Sequence, residues 1–298
     1  MKHVAVRSDE PLIELDAPVI EDRPSASRDA DLTAREQAEL RSCAEVWKGG
    51  YYEGDPLDPM SPSTYGLMGY MSILHVTYLM CIKPYVNSST TALEIGPGRG
   101  AWTKSILSSG AKEIWCLDAL PAEHNRFWDY VGRTDRIKYC QVSDFSISMV
   151  PSDRIDYFFS FGCFCHISPA LITEYMRNLF PKLKKGAHGF AMIADYDKRN
   201  TAMDDVDRYS FLRILDSKAF HGRRYLPVKA TWSVMNKLIP PQVGKKLDKD
   251  EETDVRPDRW YHFGASAACE MLESLGYEVV ERDVQVSHRD PVIHFRKP

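Results

Sequence analysis

From residue 91 onward, short aliphatic runs alternate with stretches whose apolar residues recur at helical spacing. The pattern predicts strands at 92–95, 113–117, 136–141, 155–161 and 188–194. Between them it predicts helices at 101–109, stopped by Gly110, and at 122–131. A third helix is opened by Ser168-Pro169, with Leu171, Tyr175 and Leu179 on one side. Strands alternating with helices imply right-handed crossovers and a mainly parallel sheet covered on both faces. Near the C-terminus, Ala268, Met271, Leu272 and Leu275 again follow helical spacing, and Gly276 ends that helix. Strands at 277–284 and 291–296 follow, joined through a polar turn at 285–290, which forces a hairpin. The expected fold is α/β, a doubly wound sheet of seven strands, one of them antiparallel.

Ahead of the sheet the pattern differs. Residues 1–31 mix Pro, charged residues and Ser, and read as a loosely ordered leader. Thr33 with Glu36 forms a capping box for a helix reaching about Lys48, where Gly49-Gly50 stops it. Ser63 caps a mainly apolar helix from Tyr65 to Ile82 that contains His75, read as a satisfied core histidine. Residues 196–263 form a connection of 68 residues, far beyond the usual few, with aromatic content of its own. The division that results is a leader 1–31, an N-terminal helical region 32–84, a core of 85–195 and 258–298, and an inserted helical subdomain 196–257 for substrate binding or homo-oligomer contact.

Composition narrows the function classes. The chain has 298 residues, 44% apolar and 27% charged, which are globular values. Its formal net charge of −4 lacks the basic excess a general phosphate-backbone binder needs, so no nucleic-acid partner is expected. The longest mostly apolar run, 71–82, is too short to span a bilayer. The N-terminus carries no continuous apolar signal segment. Seven scattered cysteines read as reduced thiols in a cytoplasmic protein, and the C-x-C of Cys163 and Cys165 is not a zinc spacing, so no metal is assigned.

The sharpest chemical signal is Leu93-Glu94-Ile95-Gly96-Pro97-Gly98-Arg99-Gly100, between a strand and a helix. Glycines there let a backbone pass close to a ligand at a helix N-terminus. A dinucleotide turn reads G-x-G-x-x-G, whereas the third glycine here comes one residue early and an acid ends the strand. Glu94 suits a cationic ligand better than a pyrophosphate. Asp118, at the next strand end, is suited to bridging two ribose hydroxyls. Asp144-Phe145, past the third strand, offers a carboxylate for an adenine amino group and a ring to stack on. The segment from Phe161 to His166 leaves the fourth strand, so all four signals lie on the carboxyl edge of the sheet.

These elements and motifs resemble the class I S-adenosylmethionine-dependent methyltransferases, whose Rossmann-like seven-stranded sheet ends in the same hairpin. The resemblance covers about 85–200 and 258–298. It implies that Glu94, Gly96, Gly98 and Gly100 hold the methionine part of the cofactor S-adenosyl-L-methionine, that Asp118 takes the ribose, that Asp144 and Phe145 flank the adenine, and that Gly162 lies against the sulfonium. Ser160–Ser168, SFGCFCHIS, looks like the DVFVHI segment of many small-molecule methyltransferases, with Gly162 standing where those have an acid. The Asn-Pro-Pro-aromatic signature of base amino methylation is absent. The segments RWYHF and RDPVIHFRK look most like bacterial sugar and polysaccharide O-methyltransferases.

A sugar hydroxyl is a poor nucleophile and calls for a base. His166 is the first candidate and Asp195 the second. Asp197, His262 and His288 lie near the expected mouth, and Tyr51, Tyr52 and Tyr65 belong to 32–84, which the resemblance implies is a lid over the cofactor. Arg208, Arg213, Arg223 and Arg224 of the insertion suit the phosphates of a nucleotide sugar. The expected activity is O-methylation of a sugar hydroxyl on a glycan, glycolipid or nucleotide sugar. The alternatives are methylation of a small natural product, a non-catalytic cofactor-binding scaffold, and a nicotinamide-dependent oxidoreductase, which the glycine spacing opposes.

Overall fold

The computed structural model describes residues 30–46, 53–61, 67–68, 71–202, 260–287 and 289–298. Its centre is a seven-stranded sheet of β3 (Thr91–Ile95), β4 (Glu113–Asp118), β5 (Ile137–Gln141), β6 (Ile155–Ser160), β7 (Leu183–Met192), β8 (Glu278–Glu281) and β9 (Val292–Arg296), in the order β5-β4-β3-β6-β7-β9-β8. The pairs from β5 to β7 are parallel, and β9 runs antiparallel to both β7 and β8. This is the doubly wound sheet with one antiparallel strand that the alternating pattern implies.

The local sequence explains the placement. Every residue of β3 is buried, as a central parallel strand covered on both faces requires. Alternate side chains of β6 serve opposite faces. Phe158 joins the cluster containing Leu171 and Tyr175 of α5 (Pro169–Leu179), whereas Tyr157 and Phe159 join Trp102 and Ile106 of α3 (Ala101–Ser108). The helix α6 (Ala265–Ser274) adds Ala268, Cys269 and Leu272 to the α5 face. Strand β3 lies between β4 and β6, so connections leave it in both directions, and a crevice opens beyond the carboxyl ends of β3 and β6.

Several boundaries differ from expectation. In place of the helix at 122–131 there are turns followed by the short α4 (Phe127–Val131), because Arg126 adopts a left-handed φ of 52° that interrupts helical hydrogen bonding. The stretch expected as a helix from Tyr65 opens with a ladder between β1 (Leu67–Met68) and β2 (Met71–Ser72). Then come α2 (Ile73–Thr77) and a π turn (Tyr78–Ile82), in which Lys83 N–H reaches the Tyr78 carbonyl. Helix α1 (Ala30–Val46) begins before Thr33, so the proposed capping box lies inside it, and the Glu36 carboxylate instead accepts from Phe145 N at 2.7 Å. Strand β7 starts at Leu183, five residues ahead of the expected 188. Strand β8 ends at Glu281, since Asp283 Oδ1 turns to accept from Gln285 N and Val292 N. His75 is half-buried, with Nδ1 2.8 Å from the Pro56 carbonyl oxygen. Among the described residues no helix is long and apolar enough to cross a membrane.

Candidate active site

A cavity of about 380 Å³ occupies the crevice at the carboxyl ends of β3, β4 and β6. Of the sequence-derived site residues, Gly96, Gly98, Asp118, Phe145, Gly162 and His166 line it. The turn after β3 enters the cavity through two glycines held for different reasons. A Cβ on Gly96 would stand 2.4 Å from Cys163 Cβ, so the absence of a side chain lets the β3 tip meet the loop leaving β6. Gly98 has φ +53° and nothing within 4 Å of its Cβ position, leaving its face of the turn open. Gly100 is off the cavity: a Cβ there would strike Val131 Cγ2 at 2.2 Å, so that glycine serves the docking of α3 against α4.

Asp118 anchors the neighbouring wall. Its Oδ2 accepts from Gly98 N at 3.1 Å and Asn125 Nδ2 at 3.3 Å, and its Oδ1 accepts from Leu120 N at 2.9 Å. Burial raises its pKa, and the Leu120 and Gly98 amides together with His124 partly offset that rise. Phe145 is buried and stacks on Tyr175 with ring centroids 4.3 Å apart and planes 17° from parallel. Helix α1 closes this side, with Glu36 accepting from Phe145 N and Glu39 accepting from Ser168 N at 3.0 Å.

Other candidates lie elsewhere. The Glu94 side chain is fully buried beneath the turn, off the cavity wall, and accepts from Thr103 Oγ1 at 2.6 Å. Burial pushes its carboxyl up to about 8, and the hydrogen bond from Thr103 partly offsets that rise. Asp144 also stays off the wall, with Oδ1 accepting from Ser146 N at 2.8 Å. Asp195 does not line the cavity. Its two oxygens accept from Asp197 N, Lys198 N and Ala265 N at 2.9–3.1 Å, which ties the end of β7 to the first turn of α6. Those amides and His262 outweigh burial and lower its pKa. Asp197 is exposed, and His262 Nδ1 accepts from Tyr196 N at 3.1 Å; neither reaches the cavity. Tyr51, Tyr52, Tyr65, Ser63, His288 and the four insertion arginines lie outside the described residues, as do most of the leader and of the insertion.

His166 lies in the turn Phe164–His166 just past β6, where its N–H donates to the Cys163 carbonyl at 2.9 Å, and it faces the cavity beside Cys163 and Cys165. Apolar rings of Trp102, Phe161 and Tyr175 line the wall with it. Sequence reasoning missed Glu39, Glu53, Asn125, Trp260 and Arg289, all of them on the wall. Trp260 and Arg289 occur in the two C-terminal segments singled out above, but nothing in the sequence ties those segments to each other.

Residues present suit an adenosyl sulfonium ligand in one specific respect: the open face of Gly98, the Asp118 carboxylate and the Phe145 ring share one cavity. Solved structures similar in fold include an S-adenosylmethionine-dependent methyltransferase from Mesorhizobium loti, at 14% identity over 75% of this chain and 96% of that one, with a TM-score of 0.46. The N-methyltransferase NodS from Bradyrhizobium japonicum, solved with S-adenosyl-l-homocysteine, is 14% identical over 75% of this chain and 85% of its own, with a TM-score of 0.45. An S-adenosylmethionine-dependent methyltransferase from Aquifex aeolicus is 13% identical over 76% and 88%, with a TM-score of 0.44. No family model and no curated protein sequence matches the chain.

Proposed function

We propose that the chain is an S-adenosylmethionine-dependent O-methyltransferase whose acceptor is a sugar hydroxyl. The observation that carries this reading is the open, left-handed Gly98 beside the Asp118 carboxylate at the β3–β6 crevice, with the Phe145 ring in the same cavity. Asp118 would accept from the ribose hydroxyls, the turn at Gly96–Gly98 would give the methionine part room, and Phe145 would pack against the adenine. When bound, the cofactor supplies a methyl group on a positively charged sulfur.

The chain's own residues then have three tasks. Rings of Trp102, Phe161 and Tyr175 exclude water from the wall. The turn at Phe164–His166 brings an imidazole to the cavity, where a ring nitrogen can take the proton an acceptor hydroxyl must lose. Trp260, Glu53 and Arg289 give the remaining wall an aromatic face and polar groups suited to a hydroxylated ring.

Calorimetric titration of the full chain with S-adenosylhomocysteine tests the cofactor half, with binding expected and no displacement by NADH. Incubation with methyl-labelled S-adenosylmethionine and fractionated extracts tests the acceptor half, with label expected in carbohydrate. Displacement by NADH overturns the first half; label only in non-carbohydrate fractions overturns the second.

A further inference from the structure

We propose that Asn125 is a specificity-determining residue of the cofactor wall, accepting from one of two vicinal hydroxyls while Asp118 accepts from the other, so that the chain selects a ligand with an intact diol. This rests on the methyltransferase reading for calling that diol the cofactor's ribose, but the pair of acceptors is argued from its own hydrogen bonds. An ionised carboxylate offers about four lone-pair sites. On Asp118, Gly98 N and Asn125 Nδ2 donate to Oδ2 at 3.1 and 3.3 Å, and Leu120 N donates to Oδ1 at 2.9 Å. About one site is left for a ligand, enough for a single hydroxyl. The other hydroxyl of a ribose at this wall needs a second acceptor.

Asn125 is placed to supply it. The residue is buried, yet it lines the cavity beside Asp118. Only the NH2 end of an amide can face a carboxylate, so the bond to Asp118 settles which end is which and makes Oδ1 the acceptor end. No described residue donates to that oxygen. The local backbone brings the side chain back to Asp118. Asn125 N donates to the Pro121 carbonyl at 3.4 Å, and Arg126, with its φ of 52°, interrupts the helix immediately afterwards. The Tyr139 phenol donates to the Leu120 carbonyl at 2.8 Å and so fastens the same loop to β5. A second carboxylate at position 125 would repel Asp118, whereas a neutral amide adds an acceptor without that cost.

The test is calorimetry on the full chain with S-adenosylhomocysteine and its 2′-deoxy and 3′-deoxy analogues. Wild type is expected to bind the parent roughly tenfold or more tightly than either analogue, as loss of a hydrogen bond to a buried acceptor does. Asn125→Ala should weaken the parent by about the same factor, yet leave one analogue within about twofold of its wild-type affinity. That analogue is the one already lacking the hydroxyl that Asn125 serves, and its retained binding reports that the variant is folded. Asp118→Asn should reduce the preference for the other hydroxyl. Equal losses for all three ligands in Asn125→Ala, no loss for any, or equal wild-type affinity for all three overturns the assignment. A chain that ignores S-adenosylhomocysteine but binds NADH, and loses that binding in Asn125→Ala, would overturn the methyltransferase reading and leave the diol site standing; a chain that binds neither overturns both.

Discussion

On the β4 side of the cavity, Asp118 gathers its partners from nearby in the chain: Gly98, Leu120 and Asn125 all lie within 20 residues of it. On the β9 side, Trp260 and Arg289 arrive from separate connections; the residue after Trp260, Tyr261, donates to the Cys165 carbonyl, and buried Asp290 accepts from Arg289. The first wall is made of the turns that follow β3 and β4, which the pairing of those strands sets side by side. The second exists only once β9 has been inserted between β7 and β8. Under the proposed function the locally built wall would hold the adenosyl group and the assembled wall would meet the acceptor, with His166 between them.

The largest expected effect bears on that dividing position. His166→Ala should lower turnover by roughly 10²–10⁴-fold with cofactor affinity intact, as loss of a general base does. Equal turnover in single-turnover assays would remove His166 from the chemistry. Asp118→Ala should weaken S-adenosylhomocysteine by about 1.5–3 kcal/mol in calorimetry without altering which acceptor fraction takes up label. A change in the labelled fraction would erase the contrast between the walls. Asp195→Ala strips the acceptor from three backbone amides and should cost about 2 kcal/mol in urea unfolding. Its cofactor affinity should stay within twofold; a loss like that of the Asp118 variant would show that the β7 end supports both walls.

The smallest effect is a pH slope. Burial pushes the Glu94 carboxyl up from 4.5 to about 8. The folded chain therefore keeps a proton that the unfolded chain has shed, and stability falls as pH rises across that interval. His188 and His294 act oppositely, since burial lowers their pKa values, but their contribution is complete above the unfolded histidine value of about 6.5. Glu94→Gln should then flatten the decline between about pH 6.5 and 8, followed by denaturation midpoints across that range. An unchanged slope would place the titrating group elsewhere.

The locally built wall is also the one that could be read in the amino-acid sequence. Gly96, Gly98, Asp118 and Phe145 sit at strand ends, and strand ends are legible from aliphatic runs and turn residues. Where placement departs from the strand-end expectation, the reason is tertiary. Glu94 ends its strand beside the glycines, but the pleat sends its side chain under the turn to Thr103. Asp195 is equally placed at a strand end, yet its oxygens are consumed by amides of a helix 70 residues away. Trp260 and Arg289 meet through a strand insertion that leaves no periodic trace. The expected helix at 122–131 failed at Arg126, whose left-handed backbone no propensity scale announces.

The three glycines of the turn look like one motif, yet they answer to three separate neighbours: Cys163 at position 96, empty space at 98, and Val131 with Phe127 at 100. Two of those constraints belong to the protein's own architecture and one to whatever enters from outside. A descendant could therefore abandon its ligand, letting position 98 drift toward Asn or Asp, while the outer two glycines persisted for purely mechanical reasons. Counting glycines in such a lineage would overstate how much of its original chemistry survives.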